Sequence, residues 1–234
     1  MKNITVYHID CKVYLLSSIS HNQILSDISS FVDSALASDN KMLEFHRSYQ
    51  CKNYVISGFK ELEADKLYKE GKVYTFSLRC IGNELCDFFH LSLPNCQTAV
   101  MKGLVASVKK IPPLFIEKLY TVTPALIKLE GAGYWKGTLS LEEYEKRLFI
   151  NSLKKYKQLT GDEIEENFLL YSRIQFLNHK PIANRFKEKN LLADKFELYI
   201  SDNEMAQKIS YMLLGTGVLE NNARAYGFLN YTAM

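Results

Sequence analysis

The chain has 234 residues, of which 24% are charged and 47% hydrophobic, enough to bury an ordinary core in one large or two small domains. A formal net charge of +3 does not announce a nucleic-acid binder, so any basic surface must come from local clustering. Five cysteines with no Cys-x-x-Cys pair argue against a zinc site and a disulfide framework, and they are expected to be reduced structural thiols.

From Ile4 to Leu16 the chain is rich in Val, Ile and Tyr, a strand signal. The segment holds no long apolar run and no small-residue cleavage site, so a cytoplasmic location without membrane contact is expected. In "SHNQILSDISSFVDSALA", Ser20 is a candidate cap, and Ile24, Ile28, Phe31, Val32 and Ala35 recur at helical spacing. "KNYVISGF" and "KVYTFSLRC" are strands, "NELCDFFHLS" a short helix, and "TAVMKGLVASVKKI" a strand with a bend or bulge expected at Gly103. Strand, helix, strand, strand, helix, strand is the order of a ferredoxin-like α+β unit.

The Pro112-Pro113 pair can continue neither a helix nor a central strand, so the boundary is placed there, between units spanning 1–111 and 114–234. The order then begins again. "IEKLYTVTPALIKL" is a strand, and "TLSLEEYEKRLFINSLKKYKQLTG" is a helix opened by a Ser140/Glu143 capping box and closed by Gly161. "NFLLYSRIQFL" and "KFELYI" are strands, "SDNEMAQKISYMLLG" is a helix with a second candidate capping box, Ser201/Glu204, and "AYGFLNYTA" is the last strand. The fold class is therefore α+β, two tandem ferredoxin-like (RRM-like) units with antiparallel sheets.

The stretch "LLGTGVLENNARAYGF" puts three glycines, two asparagines and Arg224 between a helix and a strand. A nucleotide-binding phosphate loop needs the opposite order and a closing lysine, so ATP binding is not expected. Gly215 reads as a helix C-cap. Backbone amides and an arginine beside aromatic residues suit RNA phosphates and unpaired bases.

This loop resembles the C-terminal glycine-rich loop of the CRISPR-associated endoribonucleases that process precursor CRISPR RNA, in the RAMP superfamily. The likeness extends to "FHRSYQCKNYVISGF", with its Phe-His and Lys-x-Tyr-x-x-Ser, and to "TPALIKL" opening the second unit. One departure lies at Leu229, where the family loop usually ends Gly-aromatic-Gly.

The resemblance implies metal-independent RNA cleavage with no cofactor, in which a ribose 2′-hydroxyl attacks the adjacent phosphate and leaves a 2′,3′-cyclic phosphate and a 5′-hydroxyl. It implies His46 and Lys52 as the catalytic histidine and lysine, with Tyr49 or Tyr54 orienting the phosphate or hydroxyl and His21 as a rival general base. In some relatives a tyrosine of the first helix assists; here Phe31 is the aromatic residue. His8, His90 and His179 read as structural.

For binding it points to Gly215, Gly217, Asn221, Arg224 and Gly227 in the loop and to Lys102, Lys109 and Lys110 on a strand, and a second basic segment gathers Lys180, Arg185, Lys187 and Lys189. Lys154, Lys155 and Lys157 are expected to serve a helix C-terminus and solubility. The implied partner is CRISPR repeat RNA within precursor CRISPR RNA, with effector-complex subunits or a second copy of the chain as further candidates. Two alternatives remain: a catalytically silent repeat-RNA-binding subunit, and a ferredoxin-like scaffold unrelated to RNA.

Overall fold

The computed structural model describes residues 4–129, 133–186 and 189–233. Strand β1 (Val6–Leu15) runs through the centre of the first sheet; it is buried on both faces from Val6 to Ile9, and from there burial alternates between a core face and an outer face. A two-residue strand β2 (Ile19–Ser20) leads to helix α1 (Ile24–Leu36) and then a short helix α2 (Asn40–Arg47). Next come β3 (Tyr54–Phe59), the two-residue β4 (Leu67–Tyr68) that pairs with β2, β5 (Val73–Ile81), helix α3 (Asn83–Ser92) and β6 (Met101–Ile111). The sheet order is β3-β5-β1-β6, antiparallel throughout.

The second unit repeats this path. It consists of β7 (Ile116–Thr121), α4 (Leu141–Thr160), β8 (Tyr171–Phe176), the hairpin β9 (Ile182–Phe186) and β10 (Lys189–Ala193), β11 (Phe196–Ile200), α5 (Glu204–Thr216) and β12 (Leu229–Ala233). Its sheet order, β12-β7-β11-β8, is that of the first sheet with corresponding strands, so the fold is two tandem ferredoxin-like units. Among the described residues no helix is long and apolar enough to cross a membrane.

Several local expectations are corrected. Helix α1 begins at Ile24 behind Gln23, and no side chain caps it, because the Ser20 hydroxyl bonds the side chains of Asn22 and Gln23 instead. The cap of α5 is Asn203, whose side chain accepts from Ala206 N, in place of a Ser201/Glu204 box. Gly215 lies inside α5 and Gly217 ends the helix. The segment from Ala225 turns back on itself before β12 begins at Leu229. The basic stretch around Arg185 is a hairpin rather than a loop, and Lys187 lies outside the described residues. Two local features stand as expected: Ser140 and Glu143 cap α4 reciprocally, with Gly161 left-handed at its end, and β6 shifts register against β1 at Gly103. A Cβ at Gly103 would stand 1.9 Å from the Leu93 carbonyl oxygen, so only glycine lets the strand pass that close.

The units share a core. Helix α5 is buried on nearly every side because it packs on its own sheet and also on Val6, Ile81 and Ile111 of the first. Tyr211 pins the joint, accepting from Val6 N and donating to the Ile111 carbonyl. On the open face of the first sheet, Arg79 donates Nε–H to His8 Nδ1 and an Nη1–H to the Leu229 carbonyl, and its guanidinium lies 4.7 Å from the Phe228 ring centroid. These contacts set the angle between the units and hence the cleft described next.

Candidate active site

Between the units lies a cleft of about 1280 Å³. One wall is α2 and the segment behind it, with His46, Tyr49 and Lys52; another is the glycine-rich loop, with Asn221 and Arg224; a third is α4. On α4, Arg147, Asn151 and Lys154 fall at intervals of four and three residues, one stripe of a helix whose adjoining face buries Tyr144, Leu148 and Tyr156. Among the described residues, Lys128, Lys155 and Lys189 complete a lining of seven Lys and Arg side chains against a single carboxylate, Glu220. Such a charge balance in a concave site raises the local potential and attracts a polyanion.

Helix α2 is only eight residues long, and it exists because both ends are satisfied. Asp39 caps its start by accepting from Met42 N. Lys52 caps its end: Nζ donates to the Phe45 carbonyl at 2.5 Å, to the Ser48 carbonyl at 2.7 Å and to Ser48 Oγ at 3.0 Å. Its three protons are thus engaged in holding the turn that carries His46, and burial lowers its pKa from the ordinary lysine value. Gln158 of α4 grips the same segment across the cleft, accepting from Cys51 N and donating to Cys51 O.

His46 stands in the last turn of α2 with Nδ1 3.5 Å from Asp33 Oδ1. The other oxygen of Asp33 forms an ion pair with Arg224 Nη1. Burial pushes the His46 pKa below its usual 6.5; Asp33 works against that, while Arg224, Lys52 and Arg47 add to it. A histidine so depressed is neutral near pH 7 and able to accept a proton. Tyr54 is buried beneath, its hydroxyl without a partner among the described residues and its pKa raised by burial and then by Asp33. Tyr49 is fully exposed at the rim. His21 lies elsewhere: it is exposed, its Nδ1 is 3.4 Å from the Tyr68 hydroxyl, and it does not line the cleft. Phe31 is wholly buried, edge-on to Phe76, so the aromatic position of the first helix serves the core.

The glycine-rich loop is closed upon itself. Gly217 and Gly227 have φ of 75° and 68°, and Leu219, Asn221 and Ala225 are also left-handed, at 56°, 61° and 63°. Non-glycine residues there cost of order 1–3 kcal/mol each unless the surroundings hold them. What holds them is Asn222, whose Nδ2 donates to the Val218 and Tyr226 carbonyls at 2.9 and 3.0 Å, and Lys155, whose Nζ donates to Gly217 O, Leu219 O and Asn222 Oδ1 at 2.7, 2.8 and 2.6 Å. The amides of Gly217, Val218, Glu220, Arg224, Ala225, Tyr226 and Gly227 all donate within the protein. A Cβ at Gly227 would meet the Val218 carbonyl at 2.2 Å and one at Gly217 the Asn222 amide at 2.5 Å. A Cβ at Gly215 would meet Ile81 at 2.6 Å.

The three glycines expected to face RNA are therefore buried, and they shape the loop so that Asn221 and Arg224 reach the cleft. Lys155 is likewise corrected: it is 3% exposed rather than solvated, and burial lowers its pKa to about 7. Lys102, Lys109 and Lys110 lie on edge strand β6 and do not line the cleft. Asp33, Arg147 and Asn151 were not singled out by sequence, and Lys154, expected to serve the helix C-terminus, lines the cleft instead; a polar residue two positions past Phe31 and the spacing of Arg147, Asn151 and Lys154 were the available signals. Among the described residues no three His, Cys, Asp or Glu side chains cluster as metal ligands would.

No protein-family model and no curated protein matches this chain. Solved structures do. One described as "CRISPR associated protein Cas6" superposes with a TM-score of 0.71 at 16% identity, covering 97% of this chain and 99% of that one. "An RAMP protein binding different RNA substrates" gives 0.70 at 14% identity over 97% and 99% of the two chains. A Cas6-related protein from Pyrococcus furiosus gives 0.67 at 18% identity over 97% and 98%. In fold the chain is Cas6-like and RAMP-like over nearly its whole length.

Proposed function

We propose that this protein, sharing its fold with Cas6 and RAMP structures, binds the repeat of precursor CRISPR RNA in the basic cleft and cuts it once per repeat. The observation that carries this reading is the meeting of His46, from one end of the chain, with Arg224, from the other, in one cleft of positive charge. In the reaction the ribose 2′-oxygen bonds to the adjacent phosphorus while the bond from phosphorus to the 5′-oxygen breaks. The 2′-hydroxyl proton goes to a base, and a proton is delivered to the departing 5′-oxygen. The products are a 2′,3′-cyclic phosphate and a 5′-hydroxyl.

His46, neutral near pH 7, suits the first transfer, and a positioned base typically supplies on the order of 10²–10⁴ in rate. Arg224 and Lys52 place positive charge where negative charge grows on the phosphoryl oxygens. The α4 stripe of Arg147, Asn151 and Lys154 offers a track for neighbouring phosphates.

The engagement of all three Lys52 protons by α2, and the burial of Phe31, favour the second reading, a repeat-RNA-binding subunit that does not cut. One experiment separates them. Wild type and His46→Ala are incubated with labelled repeat RNA in EDTA and the product ends analysed. Cyclic phosphate from the wild type and intact, bound RNA with the variant are expected. Binding without cutting by both identifies the silent subunit, and no binding by either overturns the RNA reading.

A further inference from the structure

Asp33 stands where two functional cations meet. It lies on the flank of α1 that is not committed to the core, with a side chain 24% exposed. Oδ2 pairs with Arg224 Nη1, joining residues 191 apart in sequence. Among the described residues Oδ1, which is buried, has no hydrogen-bond partner, and the group it faces, His46 Nδ1 at 3.5 Å, is also buried and without one. Two orphaned atoms of complementary chemistry, a few tenths of an ångström beyond bonding distance, are costly apart and satisfied together. Hydrogen bonds of this kind are often long in a free enzyme and tighten when substrate binds.

We infer that Asp33 is a positioning residue for the proposed cleavage: its Oδ1 takes the Nδ1–H of His46, leaving Nε2 as the nitrogen that exchanges protons, while its Oδ2 holds Arg224 at the same mouth. The inference rests on the reading of His46 as the proton-transfer group. Its consequence is a shared carboxylate. When a phosphate draws Arg224 toward itself, Asp33 is left to His46 alone and stabilises the imidazolium that forms as the 2′-hydroxyl proton arrives. The charged and titratable groups around His46 are Asp33 on α1, Arg47 on α2, Lys52 in the following segment, Arg224 in the loop and the Tyr54 hydroxyl near Asp33 on β3. Asp33 is the one negative charge among them.

The test measures the His46 pKa by NMR titration of its ring protons, and the single-turnover pH–rate profile on repeat RNA, in wild type, Asp33→Asn, Asp33→Glu and Arg224→Ala. Asp33→Asn is expected to lower the His46 pKa by about 1 pH unit, as loss of an opposite charge at this range does. The His46 limb of the profile moves to lower pH with it, and the plateau rate falls by tenfold or more because the amide no longer selects one tautomer. Asp33→Glu restores part of the rate. Arg224→Ala, by removing a neighbouring positive charge, moves the His46 pKa upward. A carboxylate that serves only the fold would leave the His46 pKa and the His46 limb of the profile unmoved in Asp33→Asn. If Asp33→Asn does not fold, the Arg224→Ala titration reads the same coupling from its other side. An unchanged His46 pKa in folded Asp33→Asn overturns the role of Asp33, whatever the cleavage result. His46→Ala cutting at the wild-type rate overturns the nuclease role of His46, while the titration still reports whether the pair exists.

Discussion

Replacing Asn222 by alanine asks whether the glycine-rich loop is held from within. The side chain makes three buried bonds: two amide donations, to Val218 O at 2.9 Å and Tyr226 O at 3.0 Å, and acceptance from Lys155 Nζ at 2.6 Å. Each carbonyl left unpaired costs about 1 kcal/mol at the low end, and a bond to a charged donor contributes about 1.5–3 kcal/mol. The loop also carries Leu219, Asn221 and Ala225 in left-handed conformations that alanine at 222 no longer restrains. A loss of about 4 kcal/mol is expected, a large share of the 5–15 kcal/mol that typically separates folded from unfolded chains. Urea unfolding of wild type and variant measures the total, and amide exchange at Val218, Ala225 and Tyr226 localises it. RNA cleavage should fall as well, because Arg224 loses its register with Asp33. A loss under about 1 kcal/mol with normal protection of those amides would refute the account and leave packing alone to hold the loop.

Two further outcomes follow from charge. His8 accepts from Arg79 at Nδ1 and meets Asp10 at Nε2, and burial, then Arg79, lower its pKa from 6.5 to about 4 against the pull of Asp10. The unfolded chain therefore binds a proton first, so stability is undiminished above pH 6.5 and falls by up to about 3 kcal/mol between 6.5 and 4; urea midpoints across that window should decline in wild type and much less in His8→Gln, and equal slopes would dismiss the group. The α4 stripe makes the second case: Arg147→Ala and Lys154→Ala should each flatten the slope of log affinity for repeat RNA against log salt by about 0.7, whereas Lys102→Ala, on the edge of the first sheet, should leave it unchanged, and the reverse pattern would put the RNA on β6.

The order of elements was legible because each carries a local signal. β1 alternates at a period of two, α4 announces both ends with Ser140, Glu143 and Gly161, and Pro112-Pro113 interrupts any regular structure. Helix α2 was not legible, since eight mostly polar residues bury only Met42, and the helix depends on a lysine that follows it by five positions. His46 and Lys52 could be named from their resemblance, but the task of Lys52 in capping α2 needed coordinates.

Hydrophobic period, caps and left-handed positions are properties of neighbouring residues, so the pair of repeated β-α-β-β-α-β paths and the glycine-rich turn can be read along the chain. Where that turn faces and what it is bonded to depend on segments distant in the chain. Lys155 reads as one of a solvated run until the loop is laid over it, and Gly215 reads as a cap until Ile81 is seen against it. Asp33 has no meaning on its own helix; it acquires one when α1, α2 and the loop before β12 converge, and no local pattern encodes a contact whose partners lie 191 residues apart.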